Sequence, residues 1–293
     1  MLTGSFVALV TPMQKDGSID WYALERLVHR QIAQGTSAIV VVGTTGESAT
    51  LSVSEHSAVI QAVVKFADKK IPVIAGTGAN ATSEAIELSE AARKVGADAC
   101  LSVVPYYNKP TQEGLYQHYK AIAEAVAIPQ ILYNVPGRTA CDMQAKTVLR
   151  LAALDNIAGI KEATGDLERA KTIIKECPDD FAVYSGDDFT AVDLLLLGGH
   201  GTISVTANLL PAKLAAMTKA ALSGEREEAM EIQSEIMPLH RALFFESNPI
   251  PVKWALSYLG HIEPYLRLPL TPLNSTYHDQ MKQILASVGL ITS

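Results

Sequence analysis

The chain has 293 residues, 48% of them hydrophobic and 19% charged, so it can bury a large core and is not a disordered protein. Its net charge of -7 disfavours binding to nucleic acid or to an anionic membrane. No apolar run approaches the ~20 residues of a membrane span, and no basic segment precedes the first run, as a signal peptide would require. We therefore expect a cytoplasmic protein that acts on small molecules.

Eight short apolar runs predict eight β-strands, with amphipathic stretches between them. The runs begin 20 to 33 residues apart, close to the roughly 30 residues of a βαβ repeat. Several are apolar on both faces, as in a parallel sheet that is covered on both sides. The predicted strands are Phe6–Val10, Ala38–Val42, Ile71–Ala75, Ala99–Val104, Pro129–Tyr133, Ile157–Ile160, Phe181–Ser185 and Gly201–Val205. Eight consecutive units of this kind predict a closed (β/α)₈ TIM barrel.

Polar residues and glycines mark the ends of the intervening helices. Ser54, Thr82 and Thr111 stand where helices are expected to begin, and Gly35 and Gly96 stand where helices are expected to end. These signals support helices that alternate with the predicted strands.

Four further helices and no strand are predicted after the eighth strand. They are Pro211–Leu222, Glu225–Phe245, Pro249–Leu259 and Pro272–Val288. We thus predict an α/β fold with a catalytic barrel over residues 1–224 and a C-terminal helical appendage over residues 225–293. A doubly wound open sheet is the alternative, but no G-x-G-x-x-G follows the first strand.

Active sites of such barrels lie at the C-terminal ends of the strands, and one lysine is placed there. Lys161 directly follows the apolar run Ile157–Ile160. A free lysine, with a pKa of about 10.4, is almost fully protonated near neutral pH, so a nucleophile requires burial or a nearby cation. Burial in the barrel would meet this need, and Lys161 is then a candidate for Schiff-base chemistry. The alternative is a lysine paired with Glu162 or with a substrate carboxylate.

Hydroxyl groups and one arginine follow neighbouring strands. Tyr133 ends the fifth strand, and Tyr106 and Tyr107 follow the fourth; with Thr44 or Thr45 as partner they can relay the protons that Schiff-base formation moves. Tyrosines that only cap the core are the alternative.

Arg138 follows Tyr133 by five residues, in a turn with Pro136 and Gly137. Its planar guanidinium suits a carboxylate or a phosphate, and an ordinary surface arginine is the alternative.

Metal and disulfide chemistry are not predicted. The histidines show no H-x-x-x-H or H-x-H pairing, and Cys100, Cys141 and Cys177 lack metal-ligand spacing, so we expect reduced thiols and no metal. A phosphate near Gly186 and the Gly198–Gly201 segment stays open, although Asp187 and Asp188 disfavour an anion and the glycines suit a helix C-cap.

Three segments together resemble one enzyme family. Gly43–Glu47 (GTTGE), Tyr133–Thr139 (YNVPGRT) and Gly159–Thr164 (GIKEAT) are similar to the 4-hydroxy-tetrahydrodipicolinate synthases, also called dihydrodipicolinate synthases, of the pyruvate-dependent class I aldolase superfamily. The resemblance extends over essentially the whole chain, including Asn248–Lys253 and Leu268–Pro272.

The resemblance implies a reaction and a role for each matching residue. Lys161 would form a Schiff base with pyruvate, and the enamine would attack L-aspartate-4-semialdehyde, with no cofactor. Tyr133, Thr44 and Tyr107 would relay protons. Pyruvate would be held by Thr45 and the backbone of Gly186 and Ile203, whereas Arg138 would bind the carboxylate of the semialdehyde. From the residues alone, Gly186 is predicted to be a turn residue.

Related enzymes give alternatives. N-acetylneuraminate lyases and keto-deoxy-sugar acid aldolases share the superfamily, but the lyases read Gly-Ser-Thr-Gly-Glu in place of Gly43–Glu47 and lack the arginine that matches Arg138. A catalytically silent barrel that binds a keto acid is a further alternative, which intact Lys161, Tyr133 and Thr44 disfavour.

The resemblance also implies an assembly and a regulator. Tyr107 would reach the site of a neighbouring subunit, in at least a dimer and usually a homotetramer, a dimer of dimers. L-lysine would inhibit by binding at the subunit interface; the matching residues are Ser48, Ala49, His56, Asn80, Glu84 and Tyr106. Val53 stands where sensitive relatives carry histidine, so we expect partial inhibition.

Overall fold

The computed structural model describes residues 1–292 and shows a closed barrel of eight parallel strands in sequential order. Strand β1 pairs with both β2 and β8, which closes the sheet and rules out the open doubly wound alternative. The strands are β1 Gly4–Ala8, β2 Ala38–Val41, β3 Val73–Gly76, β4 Ala99–Val103, β5 Gln130–Asn134, β6 Ile157–Glu162, β7 Ala182–Ser185 and β8 Gly201–Ser204. The predicted TIM barrel is therefore confirmed.

Helices surround the barrel and continue beyond it. Eight helices lie between consecutive strands: α1 Trp21–Ala33, α2 Val53–Ala67, α3 Thr82–Lys94, α4 Gln112–Ala125, α5 Pro136–Thr139, α6 Ala145–Ala152, α7 Leu167–Glu176 and α8 Ala191–Leu196. After β8 come α9 Pro211–Leu222, α10 Arg226–Ala242, α11 Ile250–Tyr258 and α12 His278–Ser287. Short 3₁₀ turns are Thr44–Gly46, Ser48–Thr50, Thr206–Asn208 and Ser275–Tyr277.

Two helix starts differ from the predictions. Ser52, not Ser54, caps α2: its hydroxyl accepts the backbone N–H of Glu55, whose carboxylate returns to the N–H of Ser52. Thr82 is the first residue of α3 and makes no capping bond, since the cap position is an alanine. Thr111 caps α4 as predicted.

The helix ends are closer to expectation. Gly35 and Gly96 adopt positive φ angles of 83° and 90° directly after α1 and α3, a conformation that glycine tolerates best. The last predicted helix begins later than expected because the side chain of Asn274 accepts the N–H of Thr276, which starts a short 3₁₀ turn before α12.

Side chains alternate along the strands between the barrel interior and the helices. The interior is filled by buried side chains that mostly recur at every second position: Phe6, Ala8, Ala38, Val40, Ile74, Ala99, Leu101, Ile131, Tyr133, Val135, Ala182, Tyr184 and Ile203. In the same register, Lys161 of β6 lies beside Tyr133 of β5 and Tyr184 of β7. The strand pairing thus places a lysine between two tyrosines.

The C-terminal helices share a hydrophobic core with the barrel. Ile236 and Leu239 of α10 and Val252 of α11 belong to the same buried cluster as Val7 and Leu9 of the first strand and its continuation. The C-terminal region is therefore packed against the barrel, which allows its residues to reach the strand ends.

None of the helices within residues 1–292 combines the length and apolar character needed to cross a bilayer. Cys100, Cys141 and Cys177 are free thiols. Burial raises the pKa of the Cys100 and Cys177 thiols to about 11, so both stay protonated and unreactive at neutral pH.

Candidate active site

A cavity of about 130 Å³ lies at the C-terminal ends of the strands and is called here the lumen cavity. It holds the predicted site residues Thr44, Thr45, Tyr133, Arg138, Lys161 and Gly186. Its other lining residues are Ala8, Val40, Gly43, Leu101, Val135, Ala163, Asp187, Phe189, Val205, Phe244 and Asn248. The residues singled out for Schiff-base chemistry therefore meet in one place.

Lys161 is the buried amine of this cavity. The residue is 6% exposed, and its Nζ lies 4.4 Å from the centroid of the Tyr133 ring. Glu162 points to the other face of β6, where its carboxylate accepts the N–H of Thr164 at 2.8 Å and faces the amide of Asn134 at 3.4 Å. The alternative of a Lys161–Glu162 ion pair is thus wrong, and the ammonium faces the cavity.

Gly186 touches the lysine side chain. A Cβ added at this position would lie 2.8 Å from Cε of Lys161 and 2.7 Å from Cβ of Ala163, which is closer than atoms can pack. The N–H of Gly186 donates to the Glu162 carbonyl at 2.7 Å and extends the pairing of β6 with β7. The prediction of a turn residue is therefore wrong, because glycine is needed here for space.

Thr44 and Thr45 lie in a 3₁₀ turn directly after β2. Thr45 is buried, and its Oγ1 accepts a hydrogen bond from Nδ2 of Asn248 at 3.0 Å. Thr44 is half-buried and also faces a second cavity. The turn therefore presents two hydroxyls at the mouth of the barrel.

The second cavity, of about 480 Å³, lies beside the first and is called here the lateral cavity. Thr44, Val135, Arg138 and Asn248 line both cavities. Arg138 is exposed on the short helix α5, which starts at the end of β5. Its guanidinium is therefore available at the entrance that the two cavities share.

Most of the residues matched to lysine binding line the lateral cavity. These are Ser48, Ala49, His56, Glu84 and Tyr106. Asn80 is adjacent, and its Nδ2 donates to the Tyr106 carbonyl at 3.3 Å. Val53, the residue for which we expect weaker inhibition by L-lysine, also lines the cavity and is 47% exposed.

The carboxylate of Glu84 acts on the titratable groups beside it in the lateral cavity. Burial and the nearby Glu84 carboxylate together raise the pKa of Tyr106. Burial lowers the pKa of His56, although its hydrogen bond to the Gly76 carbonyl at 2.6 Å and the Glu84 carboxylate act against this. Glu84 and the neutral polar groups around it therefore suit an ammonium group, whereas Arg138 at the shared entrance adds a cation to the same cavity.

Two predicted site residues lie away from the lumen cavity of their own chain. Tyr107 is 90% exposed and adopts a φ of 76°, the left-handed region that is rare for aromatic residues. Ile203 is 1% exposed in the wall of the barrel interior, below the residues that line the cavity.

A phosphate site after β7 and β8 is not supported. The Asp188 carboxylate accepts the backbone N–H groups of Val205 at 3.1 Å and Thr206 at 3.2 Å, the donors that an anion would need. Gly198 follows α8 with a φ of 105°, so the glycine cluster ends a helix, as the sequence suggests.

The lining residues of the lumen cavity that were not predicted as site residues include Asp187, Phe244 and Asn248. Phe244 and Asn248 come from the C-terminal region, and a search of the strand ends finds only residues of the barrel itself. The available signal was the Asn248–Lys253 segment, in which an asparagine and a lysine flank an apolar stretch.

Comparisons with known proteins identify the family of this chain. The model of the dihydrodipicolinate synthetase family matches residues 1–288. A 4-hydroxy-tetrahydrodipicolinate synthase of Cellvibrio japonicus is 62% identical over 290 residues, covering 99% of this chain and 100% of the relative.

Solved structures show the same similarity. A chloride-inhibited dihydrodipicolinate synthase of Acinetobacter baumannii complexed with pyruvate is 56% identical, with a TM-score of 0.98 over 99% of this chain and 100% of that one. A dihydrodipicolinate synthase of Cyanidioschyzon merolae with lysine bound is 42% identical, with a TM-score of 0.96 over 99% of each chain. The chain therefore belongs to the dihydrodipicolinate synthetase family.

Proposed function

We propose that this chain condenses pyruvate with L-aspartate-4-semialdehyde through a Schiff base on Lys161. The activity is that of a 4-hydroxy-tetrahydrodipicolinate synthase, a lyase of lysine and diaminopimelate biosynthesis. One observation carries the residue assignment: a buried lysine without a carboxylate partner faces a small cavity beside a tyrosine. Buried amines in such surroundings are suited to nucleophilic attack on a carbonyl.

The chemistry follows from the lysine. The neutral amine of Lys161 adds to the keto carbon of pyruvate, and loss of water leaves an iminium that acts as the electron sink. Loss of a methyl proton gives an enamine, whose carbon attacks the aldehyde of the second substrate. The α-amine of that substrate then displaces Lys161 from the imine carbon, which closes the ring and frees the enzyme.

Protons move on and off oxygen and nitrogen in these steps, and hydroxyl groups supply them. Tyr133 is next to Lys161, and Thr44 lines the lumen cavity within the same chain. Tyr107 completes the relay from a neighbouring subunit.

The substrates are held by different groups. The Thr45 hydroxyl and the backbone of Gly186 and Ile203 hold pyruvate. Arg138, at the shared entrance, binds the carboxylate of the semialdehyde by a charge-assisted pair.

The chain acts as a homotetramer, a dimer of dimers. A tyrosine at position 107 that is 90% exposed and held at a φ of 76° is suited to contact with a second subunit, because a strained backbone persists only where its surroundings hold it. Residues 1–224 carry the reacting groups, and residues 225–293 complete the cavity.

L-lysine inhibits by binding in the lateral cavity. Glu84 pairs with its α-ammonium, and Asn80 and Tyr106 donate to its carboxylate. Ser48, Ala49 and His56 receive its side-chain ammonium. The relative from Cyanidioschyzon merolae with lysine bound supports this assignment by its similarity over the whole chain.

Borohydride reduction in the presence of pyruvate tests the proposal. Reduction of the imine should leave one covalent adduct per chain, on the peptide that contains Lys161. Lys253 is a second buried lysine and serves as an internal control, since it should stay unmodified. An adduct on another lysine, or turnover without any trapped adduct, would contradict the mechanism.

A further inference from the structure

The turn after β2, residues Gly43–Glu47, is called here the β2 turn. Two residues with left-handed backbones mark its limits: Val42, which precedes the turn, has a φ of 48°, and Glu47, which ends it, has a φ of 57°. A β-branched valine in this region is a genuine outlier, and such strain persists only where neighbouring groups impose it. Something outside the turn must therefore hold Thr44 and Thr45 in place.

The first holding contact is a buried ion pair. Lys253 of α11 is completely buried, and its Nζ donates to Oε1 of Glu47 at 2.5 Å and to the Thr11 carbonyl at 2.9 Å. The other oxygen of Glu47 accepts the N–H of Arg267 at 3.1 Å. Both carboxylate oxygens of Glu47 are thus fixed by residues of the C-terminal region.

Thr11 extends this contact into the turn itself. Its hydroxyl donates to the Gly46 carbonyl at 2.7 Å, and its own carbonyl accepts from Lys253. The Gly46 carbonyl is therefore tied through Thr11, and the Glu47 side chain is tied directly, to the same buried lysine.

The second holding contact sets the direction of a hydroxyl. Asn248 is 5% exposed, and its Nδ2 donates to Oγ1 of Thr45. Because that oxygen accepts a hydrogen bond from the amide, the hydroxyl hydrogen of Thr45 is free to donate elsewhere. Thr45 lines the lumen cavity, where a substrate carboxylate would accept it.

We propose that Lys253 and Asn248 are positioning residues of the C-terminal region, which hold the β2 turn so that Thr45 donates to the carboxylate of pyruvate. The inference rests on the proposed function and adds a task for residues outside the barrel. A stabilising role alone is the competing explanation for the ion pair. However, replacing a buried pair by neutral groups of similar volume is often neutral or stabilising, so stability gives little reason for its presence.

The decisive variant is the double substitution Lys253→Met with Glu47→Gln, which keeps volume and leaves no lone buried charge. We expect a melting temperature at or above that of the parent. The pyruvate concentration for half-maximal trapping on Lys161 should rise roughly tenfold, the loss of about one well-placed hydrogen bond to a charged group. KM for the semialdehyde should change much less.

A matched control removes an ion pair elsewhere. Lys213 and Glu235 pair on the outer surface between α9 and α10. Lys213→Met with Glu235→Gln should leave pyruvate trapping at the parent concentration. A double variant at Lys253 and Glu47 that traps like this control, whatever its melting temperature, would overturn the positioning role.

A second pair of variants tests the direction of the Thr45 hydroxyl and does not depend on the folding of the first. In Asn248→Asp the carboxylate accepts from Thr45 and turns its hydrogen away from the cavity, whereas Asn248→Ala leaves it free. The aspartate should therefore raise KM for pyruvate more than the alanine does, and most of this excess should disappear in a Thr45→Val background, where only repulsion between the two carboxylates remains. Equal effects would refute the inference, whereas absence of trapping in the parent protein would instead refute the Schiff-base mechanism.

Discussion

The two cavities at the mouth of the barrel differ in what they are made of. In the lumen cavity, Tyr133 and Lys161 are carried by adjacent strands whose pairing fixes them side by side. The lateral cavity is nearly four times larger and is lined mainly by turns and helix starts, such as Ser48 and Glu84. The groups that we propose take part in bond formation thus lie on the sheet, and the groups that we propose recognise a free ligand lie on connecting segments.

The two cavities nevertheless share a wall. Thr44 and Arg138 line both, and a small space of about 40 Å³ between them touches Thr44, His56 and Tyr133. A ligand that shifts the wall of one cavity therefore has packed side chains through which to affect the other.

The largest effect is expected inside the lumen cavity. Tyr133→Phe removes the hydroxyl beside Lys161 and should lower kcat by roughly 10²–10⁴, the usual contribution of general acid–base catalysis. Steady-state kinetics measure it. The matched control is Tyr119→Phe, a fully buried tyrosine outside both cavities whose hydroxyl donates to the Ser102 carbonyl. If both variants keep parental turnover, the relay does not pass through Tyr133.

The next effect concerns the shared wall. Arg138→Ala removes the guanidinium that we propose binds only the second substrate, so KM for the semialdehyde should rise about tenfold or more while KM for pyruvate changes little. Arg150→Ala is the control, since Arg150 is an exposed arginine that pairs with Glu113 away from the cavities. Equal increases in both KM values would assign Arg138 a structural role.

A smaller effect should be confined to the lateral cavity. L-lysine titrated against the initial rate at fixed pyruvate should inhibit partially, with a coupling free energy of ~1–3 kcal/mol. Glu84→Thr should remove this response, measured relative to the variant's own rate without lysine. Glu87→Thr changes an exposed glutamate on the same helix and should retain the response. A flat titration of the parent up to millimolar lysine would refute the site.

The smallest effect lies outside both cavities and involves pH. Burial lowers the pKa of His118 to about 4, from an ordinary value of 6.5. Between these two pH values the ring is neutral in the folded protein and protonated in the unfolded chain. Its contribution to stability is therefore complete above pH 6.5 and is lost as pH falls towards 4. His118→Gln should flatten the fall of Tm in this window by about 2 °C per pH unit. An unchanged slope would contradict the shift.

The sequence predicts this barrel well because its signals are local and repeated. Each apolar run overlaps an observed strand, and the position of Lys161 at the C-terminal end of β6 follows directly from that pattern. Capping is harder to read: Ser52 and Ser54 are two residues apart, and only the reciprocal bond with Glu55 distinguishes them.

Long-range contacts explain what sequence reasoning missed. Asn248 contacts Thr45, and Lys253 contacts Glu47, across more than 200 residues of chain. No periodicity joins these positions, although a lysine within an apolar helix is a sign that a buried partner exists. Gly186 was misjudged for a related reason, because its neighbour Lys161 is on another strand.

The missing side chain at Gly186 also defines the freedom of movement of the lysine beside it. The methylene groups of Lys161 pass over a bare Cα, with no Cβ to obstruct them. In the proposed reaction this amine bonds to a keto carbon that becomes tetrahedral, then forms a planar imine and is later displaced, and each change moves the end of the lysine side chain. A single added carbon would occupy the path of that swing. The space around the Lys161 amine is thus set by one hydrogen atom on the residue that follows β7, and we expect natural variation there to be among the least tolerated in the barrel.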